Sequence, residues 1–578
     1  MAAASSFAAL DYVVLAGLLA LSTGIGAFFA WRDRREQSNR QFLTANKQLG
    51  WLPVSVSMVA SFVSATSILG LPSQVFVRGT TMWMNVVSSS LAILVAAFVF
   101  LPMYYNMDIT SINELLYMGV VLCGPSLALG SVTSLPVWSS ILLNGFVCTF
   151  YTVIGGIKAV VWTDVVQMIL IYAGYTMVIV SGISDVGGFG AMWQRASEGG
   201  RVIITNFSTS PYETFTSWNL IFGTTVSWTS IYCASQTQFQ RYLSIGSLQG
   251  ARRALLLNIP SVAVTLLLSV LSGLTLYAVY WDCDPMLTGD IDKPDQLMPY
   301  IVQDLLRWYP GLSGLLVAAV FSGSLSSLSS GYNALAAVTW HDFVRPKVNV
   351  TEAAALRVTK CMAAAYGLLS IAIAFLAGAT DSIVHATASL VGTLSGPLLA
   401  IFVLGIFFPC CRKKGAMAGI LIGIAISSWL VLGSIVYPRQ ADALPTSTAG
   451  CPNFNRTIHA GSYESPPAPS GILRFYHISF KWVVLVGFLT HMIVSLVVSL
   501  VFERNEKDCV DPQYICPFIR PCMRNYIRCS KDADNAFGEQ LPTNGTAPTE
   551  LCELTLEWQQ PTETTVPRST EPQCTVPT

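Results

Sequence analysis

Long apolar runs separated by short polar stretches dominate the chain from its first dozen residues to about position 502. A helix needs about 20 mostly apolar residues to cross the hydrocarbon of a bilayer. Runs of that kind fall at residues 12–31, 52–74, 82–104, 115–132, 138–155, 160–183, 218–240, 255–280, 312–340, 358–377, 383–409, 416–436 and 482–502. The pattern predicts an all-α membrane protein with about 13 transmembrane helices.

Charge then orients the runs. The first is followed, not preceded, by Arg32, Arg34 and Arg35, the reverse of a cleaved signal. The positive-inside rule puts the N-terminus outside. Alternation then makes residues 241–253, 341–357 and 412–414 cytoplasmic, all rich in Lys or Arg, together with the tail after Phe502. Residues 184–217, 282–310 and 438–481 fall outside. Two of these hold glycosylation sequons, at Asn206 and Asn455, in agreement with the charge argument. Cys283 and Cys451 share the outer face, which leaves them able to pair in a disulfide.

Composition changes the picture little: apolar residues make up 53% of the chain and charged residues 11%, against about 25% charged in soluble domains. The formal net charge is zero, so nothing favours a nucleic-acid partner. Of the 14 cysteines, Cys123, Cys148, Cys233 and Cys361 fall in apolar runs and read as buried thiols. Cys410, Cys411, Cys509, Cys516, Cys522 and Cys529 lie near basic residues, which points to a reducing cytoplasmic face and to S-acylation ahead of zinc binding. The tail 503–578 is rich in Pro, Thr, Glu and Cys and reads as disordered.

No enzyme motif is legible: HExxH, GxSxG and P-loop patterns are all missing from the sequence. Hydroxyl density is the unusual feature. Residues 321–330 read FSGSLSSLSS, and Ser55, Ser57, Ser61, Ser64, Thr66 and Ser67 precede Gly70 and Pro72. A single serine in such a helix more often serves close packing than chemistry. Adjacent hydroxyls beside a helix break are a different case, because Ser326 and Ser327 offer neighbouring hard oxygens and unwound backbone adds carbonyls. Sodium, a hard monovalent cation, needs only such neutral oxygens. The spans hold almost no Lys or Arg at mid-depth, so an anionic solute would find its countercharge in half-helix N-termini and a bound sodium ion. Asp164 reads equally as the edge of a cytoplasmic-side path and as an ordinary interfacial residue.

Five stretches carry a resemblance: 60–72 (ASFVSATSILGLP), 148–167 (CTFYTVIGGIKAVVWTDVVQ), 228–242 (WTSIYCASQTQFQRY), 282–300 (DCDPMLTGDIDKPDQLMPY) and 321–342. Together they resemble the sodium/solute symporter family over roughly residues 11–502, most of all the branch of the sodium-coupled monocarboxylate transporters, the multivitamin transporter and the sodium/iodide symporter. The resemblance implies an inverted repeat of five plus five helices with broken helices and midplane sites. It divides the chain into residues 1–51 (outer end, first helix and basic loop), the repeats 52–183 and 218–409 with loop 184–217 between them, and two added helices over 410–502. Sodium would lie among the carbonyls of Ala60, Val63 and Gly323 and the hydroxyls of Ser326 and Ser327. The solute pocket would include Phe62, Ser67, Trp228, Tyr232 and Leu399. Ser329, Asn333 and Asp342 match helix positions that matter in the iodide branch and join Asp164 as candidates for coupling or gating. Ser67 stands where the iodide symporter has glutamine, which ranks iodide below monocarboxylates.

One departure stands out. Relatives carry a basic loop and a longer helix between the equivalents of Glu114 and Tyr117, and this chain is short there by roughly 20 residues, the length of one crossing. The expectation is a plasma-membrane, sodium-coupled symporter of small organic monocarboxylates with no cofactor beyond the coupling ion. A vitamin carrier for biotin or pantothenate, and an iodide carrier, are the nearer alternatives. A non-transporting sensor or scaffold is the alternative from another class, since a shortened chain can keep its ligand site and lose transport.

Overall fold

The computed structural model describes residues 8–34, 38–104, 137–305, 311–377, 383–439, 442–451, 458–461 and 468–502. Its strands, among the described residues, are one antiparallel two-residue pair, β1 (Thr446–Ser447) and β2 (His459–Ala460). The rest is helical. After α1 (Ala9–Arg32) and the short α2 (Asn39–Thr44), the apolar run 52–74 forms two helices, α3 (Trp51–Ala60) and α4 (Ala65–Arg78). The next crossing is α5 (Asn85–Val95), a π-helical turn and α6 (Leu101–Tyr104).

The 50 residues of α7 (Val137–Val186) are two helices joined at Gly156. Its φ of 60° lies where side chains are strained, and a Cβ there would also sit 2.8 Å from the Phe42 carbonyl. These halves are the expected runs 138–155 and 160–183. The loop helix α8 (Phe189–Glu198) leads to a second broken crossing, α9 (Thr224–Ala234) and α10 (Gln236–Leu243), split at the extended residue Ser235. Then follow α11 (Leu248–Val279), the short α12 (Leu297–Asp304), α13 (Leu312–Val338), α14 (Glu352–Ala377), α15 (Ile383–Phe407), α16 (Lys413–Val436), the short α17 (Leu473–Tyr476) and α18 (Phe480–Phe502).

Among the described residues, eight helices are long and apolar enough to cross a membrane, with Trp51–Ala60 and Gly392–Phe407 shorter. The run 115–132, the shortened junction after Glu114 and the tail lie outside the described residues. One helix differs from the others: the apolar window of α13 is 89% buried, against 28–50% for the other seven. It is the central post, and its serines face protein on all sides. The outer helices instead present Leu432, Ile435, Ile493 and Val497 outward, as a lipid-facing surface requires. Cys148 and Cys233 are buried as expected, but Cys361 is exposed on α14; an apolar run alone does not say which side of a lipid-facing helix is covered.

Two devices bind the periphery. Between α16 and α18, Gly415, Gly419 and Gly423 meet Ser499, Ser495 and His491 so closely that a Cβ would collide with the partner helix, the small-residue packing of membrane helices. At one end of the bundle, Cys283 and Cys451 form a disulfide, flanked by Asp284 N–H to the Ser447 carbonyl and Gly450 N–H to the Asp282 carbonyl, 3.0 and 2.9 Å. Beside it the fully buried Arg201 donates to the carbonyls of Phe76, Gly199, Leu444 and Pro445 and lies 3.8 Å from the Tyr277 ring centroid. A planar fork with five N–H donors suits such a cluster of carbonyls.

The disulfide spans 168 residues of sequence, and its loss is expected to remove about 2–4 kcal/mol. Cys451→Ser should therefore lower the melting temperature of the detergent-purified protein. Reductant should reproduce that fall in the wild type and add nothing in the variant; an unchanged melting temperature would show that the surrounding hydrogen bonds suffice.

Candidate functional site

The site begins where a helix stops. After Ala60, Phe62 and Val63 N–H both turn back to the Val59 carbonyl, and Ser64 is extended before α4 starts. Opened backbone inside an apolar bundle must find partners within the protein. Two of the freed carbonyls have them: Ser61 O accepts the Ser327 hydroxyl at 2.8 Å, and Phe62 O accepts the Ser67 hydroxyl at 3.3 Å. Among the described residues no donor reaches the carbonyls of Ala60 or Val63. Those are two of the three backbone carbonyls that the family resemblance assigns to sodium; the third, Gly323 O, accepts the Ser327 hydroxyl at 3.1 Å.

Helix α13 forms the opposite wall. Ser326 and Ser327 are both buried, and 100° of helix rotation sends them to different partners. Ser327 donates to Ser61 O and Gly323 O, while Ser326 donates to Asp164 Oδ1 at 2.6 Å. A hydroxyl that donates its hydrogen keeps lone pairs for a cation. Gly323 lies inside the unbroken α13, so its contribution is less a freed carbonyl than a missing side chain: a Cβ there would come within 2.8 Å of Val63 O. The glycine lets the post approach the break.

Asp164 lies on the second half of α7 and is fully buried, not at an interface. Its carboxylate accepts from Ser57 at 2.5 Å, Ser326 at 2.6 Å and the Arg241 guanidinium at 3.0 Å. Arg241 in turn donates to Ser57, Ser330 and the Thr237 carbonyl. This corrects two expectations. Arg241 is not in a cytoplasmic loop but in α10, immediately after the second break, and the bundle does contain an embedded arginine. The signal was available: a carboxylate in an apolar span needs a partner, and Arg241 is the first cation after the span 218–240. Ser57 and Ser330 belong to the hydroxyl-rich runs, but their role appears only with the arginine in place.

On the α9 side, three of the expected pocket residues meet. The Phe62 ring stands edge-on to Trp228 and Tyr232, with centroids 5.0 and 5.8 Å away, and Trp228 stacks on Tyr232 at 6.2 Å. Tyr232 is held by its carbonyl, which accepts Tyr242 OH at 2.9 Å. Leu399 is buried on α15 in the same core cluster, and Ser230 ties α9 to α15 through the Ser395 carbonyl. Ser67 lies one turn into α4 behind Phe62. The cations that stack on rings, such as Arg201 on Tyr277 and Arg252 on Phe98, lie elsewhere.

The remaining candidates divide. Ser329 is buried and donates to the Ser326 carbonyl, and Asn333 donates to Gln240 at 3.5 Å, so both belong to the α13–α10 contact. Asp342 is exposed beyond the end of α13 and is not brought to the site. The Asn206 amide nitrogen, the atom a glycan would join, donates to Glu213 and the Phe215 carbonyl. Asn455 lies outside the described residues.

The sodium:solute symporter family profile matches residues 42–119 and 114–423, two stretches that meet where the sequence is short. The chain is 35% identical to the mouse sodium-coupled monocarboxylate transporter 2, over 89% of this chain and 87% of that protein. It is 35% identical to the human sodium-coupled monocarboxylate transporter 1 (88% and 90%) and 37% identical to the rabbit sodium-dependent multivitamin transporter (89% and 86%). Its fold is similar to the solved structure of a Na+-coupled sialic acid symporter in a substrate-bound outward-open state, with a TM-score of 0.68, 19% identity, and coverage of 86% of this chain and 99% of that one.

Breaking a buried ion pair from one side strands the other charge, at about 3–5 kcal/mol. Arg241→Met is therefore expected to lower the melting temperature steeply, and adding Asp164→Asn should restore a large part of the loss. Additive losses in that double-variant cycle would mean the two charges do not depend on each other.

Proposed function

The chain belongs to the sodium:solute symporter family, and on that premise we propose that it takes up small organic monocarboxylates, of the lactate or short-chain-acid type, together with sodium. Its place of action is the plasma membrane, with the N-terminus outside and the C-terminus cytoplasmic. The observation that supports the reading is the pair of unanswered carbonyls, Ala60 and Val63, at a break that Ser327 reaches through the Ser61 carbonyl and that Gly323 lets α13 approach. Sodium, coordinated there, is the countercharge for a carboxylate.

Charge balance supports this. Arg241 is the embedded cation, but it answers Asp164 and leaves the pair neutral. The aromatic group Phe62, Trp228 and Tyr232, with Ser67 and Leu399, makes an apolar, neutral lining. An anion beside it needs an ion that arrives with it. Sodium binds first and orders the break, the solute follows, and the bundle containing α3, α4, α9 and α10 rocks to open the other face. Asp164 and Arg241, which tie α3, α7, α10 and α13 together, act as the gate beneath the site.

A tenfold sodium gradient supplies about 1.4 kcal/mol, and each net charge crossing 100 mV about 2.3 kcal/mol. One sodium with one monoanion moves no net charge, so strong accumulation requires a second sodium.

The likeness to a multivitamin transporter favours a second reading, a carboxylate-bearing vitamin as solute. In cells producing the protein, uptake of labelled lactate in sodium medium should exceed uptake in choline medium, and excess biotin should leave it unchanged. Equal uptake in both media would end the coupling proposal, and competition by biotin would move the solute to the vitamin class.

Ser326→Ala with Ser327→Ala should raise the sodium concentration for half-maximal uptake about tenfold, equivalent to about 1.4 kcal/mol of ion binding. An unchanged sodium dependence would show that the ion binds elsewhere.

A further inference from the structure

Helix α4 is enclosed along most of its surface but not on one stripe. Ser67, Leu71, Gln74 and Arg78 are each partly open, while the positions between them are buried, Val77 excepted. Spacings of four, three and four residues put these side chains on one helix face. The stripe starts beside Phe62, whose carbonyl takes the Ser67 hydroxyl, and ends roughly 16 Å further along at Arg78. Partway along it, Leu71 packs against the apolar cluster that holds Phe215. This is the end of the bundle that carries the disulfide: Val77 O accepts the Leu444 N–H, and Thr80 N–H reaches the Arg201 carbonyl.

Two cations stand over that phenylalanine. Arg78 Cζ is 5.8 Å and Lys481 Nζ 5.9 Å from the Phe215 ring centroid, and Lys481 is 5.1 Å from that of Phe480. Neither has a carboxylate within ion-pair reach. Arg78 gives Nη1 to the Gln74 amide oxygen, and its buried Nε has no partner among the described residues. The acidic side chains beside them are committed. Glu213 accepts from the Asn206 amide and the Ser208 hydroxyl. Asp442 accepts from the Thr214 N–H and hydroxyl, faces Arg439 at 3.9 Å and also attracts Arg78. Arg78, Arg439 and Lys481 thus share two carboxylates, and the group is left net positive. An aromatic face attracts a cation without neutralising it.

We propose that Arg78 and Lys481 form an entry site for the solute's carboxylate, ahead of the neutral pocket at Phe62, Trp228 and Tyr232. The inference rests on the proposed uptake of a small monocarboxylate and adds its first point of contact. The deep pocket has no fixed cation to draw an anion out of water. A positive group at the end of an open stripe does draw one, and it raises the local concentration of the anion. Along that stripe Gln74 and Ser67 offer polar groups to the carboxylate, and Leu71 offers an apolar surface to its short carbon chain.

The test uses cells producing the full-length chain, with labelled lactate as probe in saturating sodium and uptake scaled to the amount of protein at the surface. Arg78→Gln and Lys481→Gln should each raise KM about fivefold, the scale of one solvent-accessible charged contact. The maximal rate and the sodium dependence should stay as in the wild type. Raising ionic strength with choline chloride at fixed sodium should raise the wild-type KM and should leave that of the double variant unchanged. Lys481→Arg, which keeps the charge, should keep the wild-type KM. A role confined to packing on Phe215 predicts less protein at the surface with KM and its salt dependence unaltered. That result overturns the entry site while sodium-coupled uptake stands. Should the wild type take up no lactate with sodium, the proposed function fails and the entry site goes with it.

Discussion

A peptide carbonyl removed from a helix in the middle of a membrane bundle must be answered by something, and the arrangement around Ser61–Ser64 is governed by that demand. Of the carbonyls freed there, serine hydroxyls answer those of Ser61 and Phe62, and Val63 O lies against α13 at Gly323. This explains why α13 is the most deeply enclosed helix and so rich in small hydroxyl side chains. Larger residues would hold the post away from the break, and apolar ones of the same size would leave Ser61 O unmet. The second break, at Ser235, is less open: Ser235 is a single extended residue, and the helix resumes at once as α10.

Asp164 and Arg241 make sense within the same demand. Each would be prohibitively unstable alone at zero exposure, and each has its partner plus serines from two other helices. The pair joins the second half of α7 to α10, the half-helix that follows the break at Ser235. Its neutrality matters as much as its strength, because the pair adds no net charge to the interior of the bundle.

Much of this was legible in the residues. The first break and the hydroxyl-rich post fall where the quoted strings put them, because both depend on local spacing along the chain, whereas the break at Ser235 lies within a run read as one crossing. Arg241 was misread for the opposite reason. The apolar pattern ends at residue 240 and a run with Arg241, Arg252 and Arg253 follows, and only the contact with Asp164, 77 positions away in sequence, shows Arg241 to be inside. Cys361 went the other way, outward, since an apolar run does not identify the covered face of a helix wrapped in lipid, and Asp342 lies exposed past the end of α13.

Arg201 matters for mechanical reasons. Its guanidinium gathers the far end of α4, at Phe76, and the segment at Leu444 and Pro445 onto one point, and the Leu444 N–H reinforces it by reaching the Val77 carbonyl. The near end of α4 is Ala65, two residues from Val63. The loop before β1 and the half-helix thus form a lever arm about 20 Å long, with its handle at the surface and its tip beside the unanswered oxygens. A pull on the segment at Leu444 and Pro445 would be carried along α4 to the break at Ser61–Ser64.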